Sequence, residues 1–190
     1  MKLYLFDFDG TLIKKDSMIE FLKTLNKNIL FYYIKNIIFI PIYLLFLLKI
    51  LSRKTTKTIF LRIHLRNIKR DMIKIKSKEF SKNISNLFFS GVKELFESIK
   101  GEKCIVTASA DFWMTDISKE MNCNLISSIV EFKNNKFNKI SMNCYGENKV
   151  QEILKNYKLS NFTEIHVYGN SKGDKQMLSL GTHKYYKFFK

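Results

Sequence analysis

The sequence predicts an α/β fold, a largely parallel sheet flanked by helices, with an all-helical insertion after the first strand. Three observations predict it. Short apolar runs bounded by turn residues recur at 3–6, 103–106 and 164–168, and helical patterns separate them. The runs at 3–6 and 164–168 lead into polar, glycine-containing loops, and open α/β sheets gather their ligand groups at such strand ends. Residues 14–90, in contrast, show only helical patterning. The expected division is therefore a core of residues 1–13 and 91–190, with residues 14–90 inserted as a helical cap. With 190 residues, one proline and no internal repeat, the chain suits one compact unit better than linked domains.

The first strand, Leu3 to Phe6, runs into Asp7-Phe8-Asp9-Gly10-Thr11. Two acids one residue apart, beside a glycine that permits close approach, suit a hard cation and a phosphate. Asp-Gly alone would equally end a strand in a polar turn. Asp16 or Ser17 then caps a helix that carries Ile19, Phe21, Leu22 and Leu25 toward Asn26.

Residues 29–51 follow, with 19 apolar residues of 23; Lys35, Asn36, Pro41 and Lys49 are the exceptions. A membrane span needs about 20 such residues. A single crossing, however, would part the first strand from everything after Arg53. Cations precede the stretch (Lys14, Lys15, Lys23, Lys27) and follow it (Lys49, Arg53, Lys54, Lys57), which places both ends on the cytoplasmic side. With Pro41 as a kink, the expectation is a re-entrant or interfacial helical hairpin that anchors without spanning. A pair of buried cap helices is the plainer alternative.

Residues 55–72 read as an amphipathic helix, with Leu61, Leu65, Ile68 and Met72 on one face and Arg62, Arg66, Lys69 and Arg70 on another. From Lys49 to Lys82 there are twelve Lys/Arg against two acids, and the whole chain carries a formal charge of +16. Beside the apolar stretch, this excess fits an anionic membrane surface. Nucleic acid is the poorer fit, since no motif interleaves aromatic with basic residues. Helices at 79–88 and after Gly91, through Ile99, complete this part of the chain.

The sheet resumes at Lys103 to Val106, which ends in Thr107-Ala108-Ser109. A helix at 112–121 follows, then strands at 125–132 and 136–142 around the turn pair Asn134-Asn135. Beyond lie a helix at 147–157, the strand 164–168, the loop Gly169-Asn170-Ser171-Lys172-Gly173-Asp174, a helix through Leu180 and a last strand at 184–188. Cys104, Cys123 and Cys144 are odd in number and lack ligand spacing, so reduced cytoplasmic thiols are expected. Met1 leads directly into the first strand without a signal-peptide pattern.

The stretch from Leu3 to Thr11 resembles the first motif of the haloacid dehalogenase-like phosphohydrolases. The resemblance extends, in order, to Thr107 in Val-Thr-Ala-Ser as a second motif, Lys149 in Gly-Glu-Asn-Lys as a third, and the 169–174 loop as a fourth. It implies a Rossmann-like core in which Asp7 is the nucleophile and Asp9 the general acid/base. Thr107, Ala108, Ser109, Gly10, Thr11 and Lys149 would hold the phosphate. Asp7, Asp9, Asn170 and Asp174 would hold Mg²⁺. Asn170 departs from the pattern, because an Asp usually stands there, and this predicts weaker metal binding or altered activity. The cap position is that of the phosphoserine-phosphatase-like subclass. Val-Thr-Ala-Ser, Tyr-Gly-Glu-Asn-Lys-Val and Tyr-Gly-Asn-Ser-Lys-Gly-Asp are most similar to its phosphatidylglycerophosphatase branch. The expectation is a phosphomonoesterase for a lipid-linked phosphate at the cytoplasmic face of a membrane. Two alternatives stay open: a cytoplasmic phosphatase for phosphoserine or a sugar phosphate, and a catalytically weak protein that binds membranes or RNA.

Overall fold

A computed structural model of the chain describes residues 1–26 and 28–189; Lys27, counted above among the flanking cations, lies outside them. Six strands form one sheet: β1 (Lys2–Phe6), β2 (Glu102–Ala110), β3 (Asn124–Lys133), β4 (Lys136–Met142), β5 (Glu164–Gly169) and β6 (His183–Tyr186). Their order is β4-β3-β2-β1-β5-β6, and only β4, joined to β3 through Asn134 and Asn135, is antiparallel to its neighbour. Both turn asparagines take positive φ, 49° and 59°, which a tight hairpin requires.

Strand β1 lies at the centre, and the alternation of its side chains serves two cores. Leu3 and Leu5 pack with Cys104, Val106, Ile153, Val167 and Met177 on one face. Phe6 packs with Phe96, Ile105, Trp113 and Tyr168 on the other. The helices α5 (Val92–Ser98), α6 (Asp111–Glu120), α7 (Glu147–Asn156) and α8 (Lys175–Ser179) cover the sheet in the order the sequence predicts. Burial on both sides explains why the inner strands read as continuous apolar runs.

Between β1 and β2 lie α1 (Ser17–Thr24), α2 (Ile29–Leu47), α3 (Arg53–Leu65) and α4 (Arg70–Lys82), with a 3₁₀ turn at Ile84–Leu87. Asp16 caps α1, accepting the N–H of Ile19 at 3.1 Å. Three expectations need correction here. Residues 29–51 do not fold back on themselves: α2 is one helix of 19 residues, about 28 Å long, that continues through Pro41. The reversal comes after Leu48, where Lys49 takes φ 60°, so the hairpin consists of α2 and α3. Residues 55–72 likewise hold two helices, because the chain turns between Leu65 and Arg70, with the N–H of Ile68 returning to the carbonyl of Leu65. The predicted helix at 79–88 ends at Lys82 and continues only as the 3₁₀ turn. Apolar spacing repeats across each of these breaks, so periodicity alone does not register them.

α3 lies along the edge strand β4. Lys54 donates to the carbonyl of Ser141 (2.6 Å), Thr58 Oγ1 accepts the N–H of Ile140 (3.4 Å), and Arg62 donates to the carbonyl of Asn138 (2.7 Å). Residues 54, 58 and 62 are four apart and so share one helix face.

Candidate active site

The end of β1 positions the first carboxylates. The Asp7 N–H donates to the carbonyl of Tyr168 on β5, so the residue still belongs to the sheet. The chain then turns, with the N–H groups of Thr11, Leu12 and Ile13 all directed at the carbonyl of Phe8 and that of Gly10 at Ile13. Gly10 takes φ 73°, and a Cβ there would lie 2.1 Å from the Asn170 side-chain amide. Only glycine allows this approach.

Lys149 comes from the first turn of α7 and is almost wholly buried. Its Nζ donates to Asp7 Oδ1 and to Asp174 Oδ1, both at 2.7 Å. Burial opposes its charge, but the two carboxylates outweigh that and hold the ammonium above its ordinary pKa. Burial likewise pushes the Asp7 carboxyl up, with Lys149 as the main opposing force and Thr11 Oγ1 donating to Oδ2 at 2.9 Å. Asp174 is held below its ordinary value against the cost of burial: beyond Lys149, its Oδ2 accepts the N–H of Ser171 (2.9 Å), the hydroxyl of Ser171 (2.7 Å) and the N–H of Asn170 (3.2 Å).

Asp9 sits in a different setting. Oδ1 accepts the N–H of Ser17 at 2.6 Å, and Oδ2 accepts the Ser109 hydroxyl at 2.5 Å. Ser17 Oγ lies 2.9 Å from Ser109 Oγ and accepts from Trp113 Nε1 at 3.1 Å, so a buried relay of donors fixes the carboxylate. Burial, followed by repulsion from Asp16, raises its pKa to about 6. Two carboxylates of the same turn thus differ in chemistry: one faces an ammonium, while the other holds a proton readily near neutral pH.

A cavity of about 470 Å³ gathers Asp7, Asp9, Thr107, Ala108, Ser109, Lys149, Asn170 and Asp174 around one space. Two predicted phosphate-binding residues stand apart from it. Gly10 and Thr11 spend their N–H groups on the turn, so they shape and brace Asp7 instead of lining the cavity. Thr107 Oγ1 accepts the N–H of Ser109 at 3.0 Å, which leaves its own proton to donate into the cavity. Sequence reasoning missed Ser17, Lys57, Asn143, Tyr145 and the apolar wall of Phe39, Tyr43 and Phe46. Lys57 carried a faint signal, being one helical turn beyond Arg53; its Nζ reaches the carbonyl of Ala108.

The donor set fits Mg²⁺. Carboxylates of Asp7, Asp9 and Asp174 and the amide of Asn170 offer oxygen only, and no His or Cys lines the cavity among the described residues. Hard divalent cations select such oxygen sets.

Fold and site together define a hydrolase that works with paired carboxylates on a phosphate. Residues 4–179 match the profile of the haloacid dehalogenase-like hydrolases, and the chain belongs to that family. Its site is that of a phosphatase. Solved structures agree on the fold. A protein of unknown function from Bordetella pertussis Tohama I is 18% identical with a TM-score of 0.78, over 95% of this chain and 87% of that one. A phosphoserine phosphohydrolase-like protein from Francisella tularensis is 22% identical with a TM-score of 0.68, over 98% and 86%. A phosphoserine phosphatase captured as a phospho-aspartyl intermediate analogue is 16% identical with a TM-score of 0.64, over 96% and 84%. No curated protein sequence matches the chain.

Proposed function

We propose that the protein is a Mg²⁺-dependent phosphomonoesterase acting on a lipid-linked phosphate, with phosphatidylglycerophosphate as the leading candidate, at the cytoplasmic face of a membrane. The observation that carries the chemistry is the Asp7–Lys149–Asp174 bridge beside a separately held Asp9. Asp7 attacks phosphorus in line, with Lys149 holding its carboxylate in place, and forms an aspartyl-phosphate. Asp9, protonated near pH 6, gives its proton to the leaving alcohol and then takes one from the water that hydrolyses the intermediate. Thr107 and the main chain of Ala108 and Ser109 grip phosphate oxygens. Asp7, Asn170 and Asp174 would hold Mg²⁺ through side-chain oxygens and Asp9, whose carboxyl serves as the acid, through its main-chain carbonyl, and the cation would neutralise phosphate charge.

The lipid reading is supported by the apolar wall that Phe39, Tyr43 and Phe46 of α2 give the cavity that also holds the carboxylates. An acyl-bearing alcohol matches that wall; a small polar alcohol leaves it unused. The likeness to phosphoserine phosphatase favours a second reading, a small soluble ester. Phosphate release with Mg²⁺ from detergent-dispersed phosphatidylglycerophosphate, beside phosphoserine and sugar phosphates, decides between them. Preference for the lipid is expected; preference for a soluble ester overturns the lipid reading, and no release from any of them overturns the phosphatase reading.

A further inference from the structure

Helix α2 lacks the partner that its composition requires. A helix apolar around its whole circumference is normally buried in a core or in lipid, yet only Tyr32 of α2 is buried. Leu30, Ile34, Ile37, Ile38, Leu44 and Leu47 all face outward, Ile37 with 64% of its surface exposed. The opposite stripe is held along its length. Tyr32 packs on His64 and Phe39 on Phe60, with ring centroids 5.2 Å and 4.8 Å apart. Arg53 lies over Phe46, and Lys35 donates to Asn26 Oδ1 and to the carbonyl of His64. To cross a bilayer, α2 would have to break every one of these contacts.

Charge narrows the choice of partner. Residues 21–70 contain eleven Lys/Arg and no Asp or Glu, and although Lys35 and Lys57 turn inward, Lys49, Arg53, Lys54, Arg66, Lys69 and Arg70 are exposed. A second copy seated on this face would set cations against cations. An anionic lipid surface satisfies the apolar face and the charge together.

We infer that α2 docks in the plane of an anionic phospholipid bilayer, its outward face among the acyl chains and the cations around it at the headgroups. Phe39, Tyr43 and Phe46 lie on the opposite stripe of the same helix and line the catalytic cavity, so docking holds that cavity beside the membrane surface with α2 between it and the acyl chains. This deepens the reading above and rests on its membrane half, not on the chemistry at Asp7.

The test is cosedimentation of the full chain with vesicles of phosphatidylcholine alone or with about one-third phosphatidylglycerol. Binding is expected to the anionic vesicles, to weaken severalfold at high salt, and to fall by about tenfold or more in Ile37→Glu/Leu44→Glu. Equal binding to both vesicles, or full binding by the double variant, overturns the proposal. So does a salt-stable dimer that Ile37→Glu dissociates. Depth is read from Leu30→Trp, Ile37→Trp and Leu44→Trp with brominated lipids, while Trp113 stays buried away from the quencher. A common shallow depth supports in-plane docking; a progression across the bilayer overturns it. Hydrolysis of p-nitrophenyl phosphate is measured in parallel. Vesicle binding without hydrolysis defeats the phosphatase reading alone, and hydrolysis without vesicle binding defeats the docking alone.

Discussion

The core and the cap break the same rule in opposite directions. Around β1 the protein buries charge: Asp7, Lys149 and Asp174 lie almost out of water's reach. Along α2 it exposes apolar surface, from Ile29 to Leu48. Buried charges persist only where they pair, and large exposed apolar patches mark an interaction surface. The first inversion is balanced inside the protein, where Lys149 bridges the two carboxylates; the second is left open along α2, and lipid is the partner proposed for it above. Helix α2 joins the two regions, because its inward residues Phe39, Tyr43 and Phe46 line the same cavity as the carboxylates while its outward residues stay exposed.

Replacing the nucleophile tests the buried half most severely. Asp7→Asn is expected to lower turnover by about 10⁴-fold or more with little change in fold, measured as phosphate release under saturating substrate. Measurable turnover near the wild-type rate would remove Asp7 from that role. Lys149→Met comes next, because it leaves two buried carboxylates facing each other without their shared cation. A loss of about 3–5 kcal/mol of stability is expected by denaturant unfolding, with part restored by Mg²⁺. Unchanged stability would show that the bridge is not what holds those acids.

His64 tests the seam between the halves. It is buried where α3 packs on α2, and neither ring nitrogen has a hydrogen-bond partner among the described residues. Burial, then Lys35, presses its pKa from 6.5 down to about 4. The unfolded chain therefore takes up this proton first as pH falls. The contribution is complete above about pH 6.5 and is lost progressively toward pH 4, by an amount of order 2 kcal/mol. His64→Phe should flatten the fall in Tm between pH 7 and pH 5, and an equally steep fall in the variant would clear His64. The smallest effect is expected from Asn170→Asp, which adds a carboxylate beside Gly10. The Mg²⁺ concentration for half-maximal activity should drop about tenfold, and an unchanged requirement would exclude residue 170 from the metal's ligands.

What the sequence showed and what it hid follow from the range of the forces involved. Asp7, Asp9 and the 169–174 loop were legible because each sits where an apolar run meets a turn, a signal written within a few residues. Lys149 was legible only through its order among such loops. Lys57 was hidden among 33 basic residues, since its place is decided by a carbonyl 51 residues away. The fold-back inside residues 29–51 was misread for a related reason. Pro41 announces a local kink, but whether a helix ends there depends on what it packs against, and α3 supplies a surface that keeps α2 whole.

The bonds from α3 to β4 have one further consequence. An edge strand with free main-chain groups is a template for pairing with any other strand. Lys54, Thr58 and Arg62 occupy that edge at Ser141, Ile140 and Asn138, so α3 insulates the β4 edge of the sheet against self-association as well as roofing the catalytic cavity. A core stripped of its helical insertion would carry a naked edge, and its failure would be aggregation through β4 before any loss of its own packing.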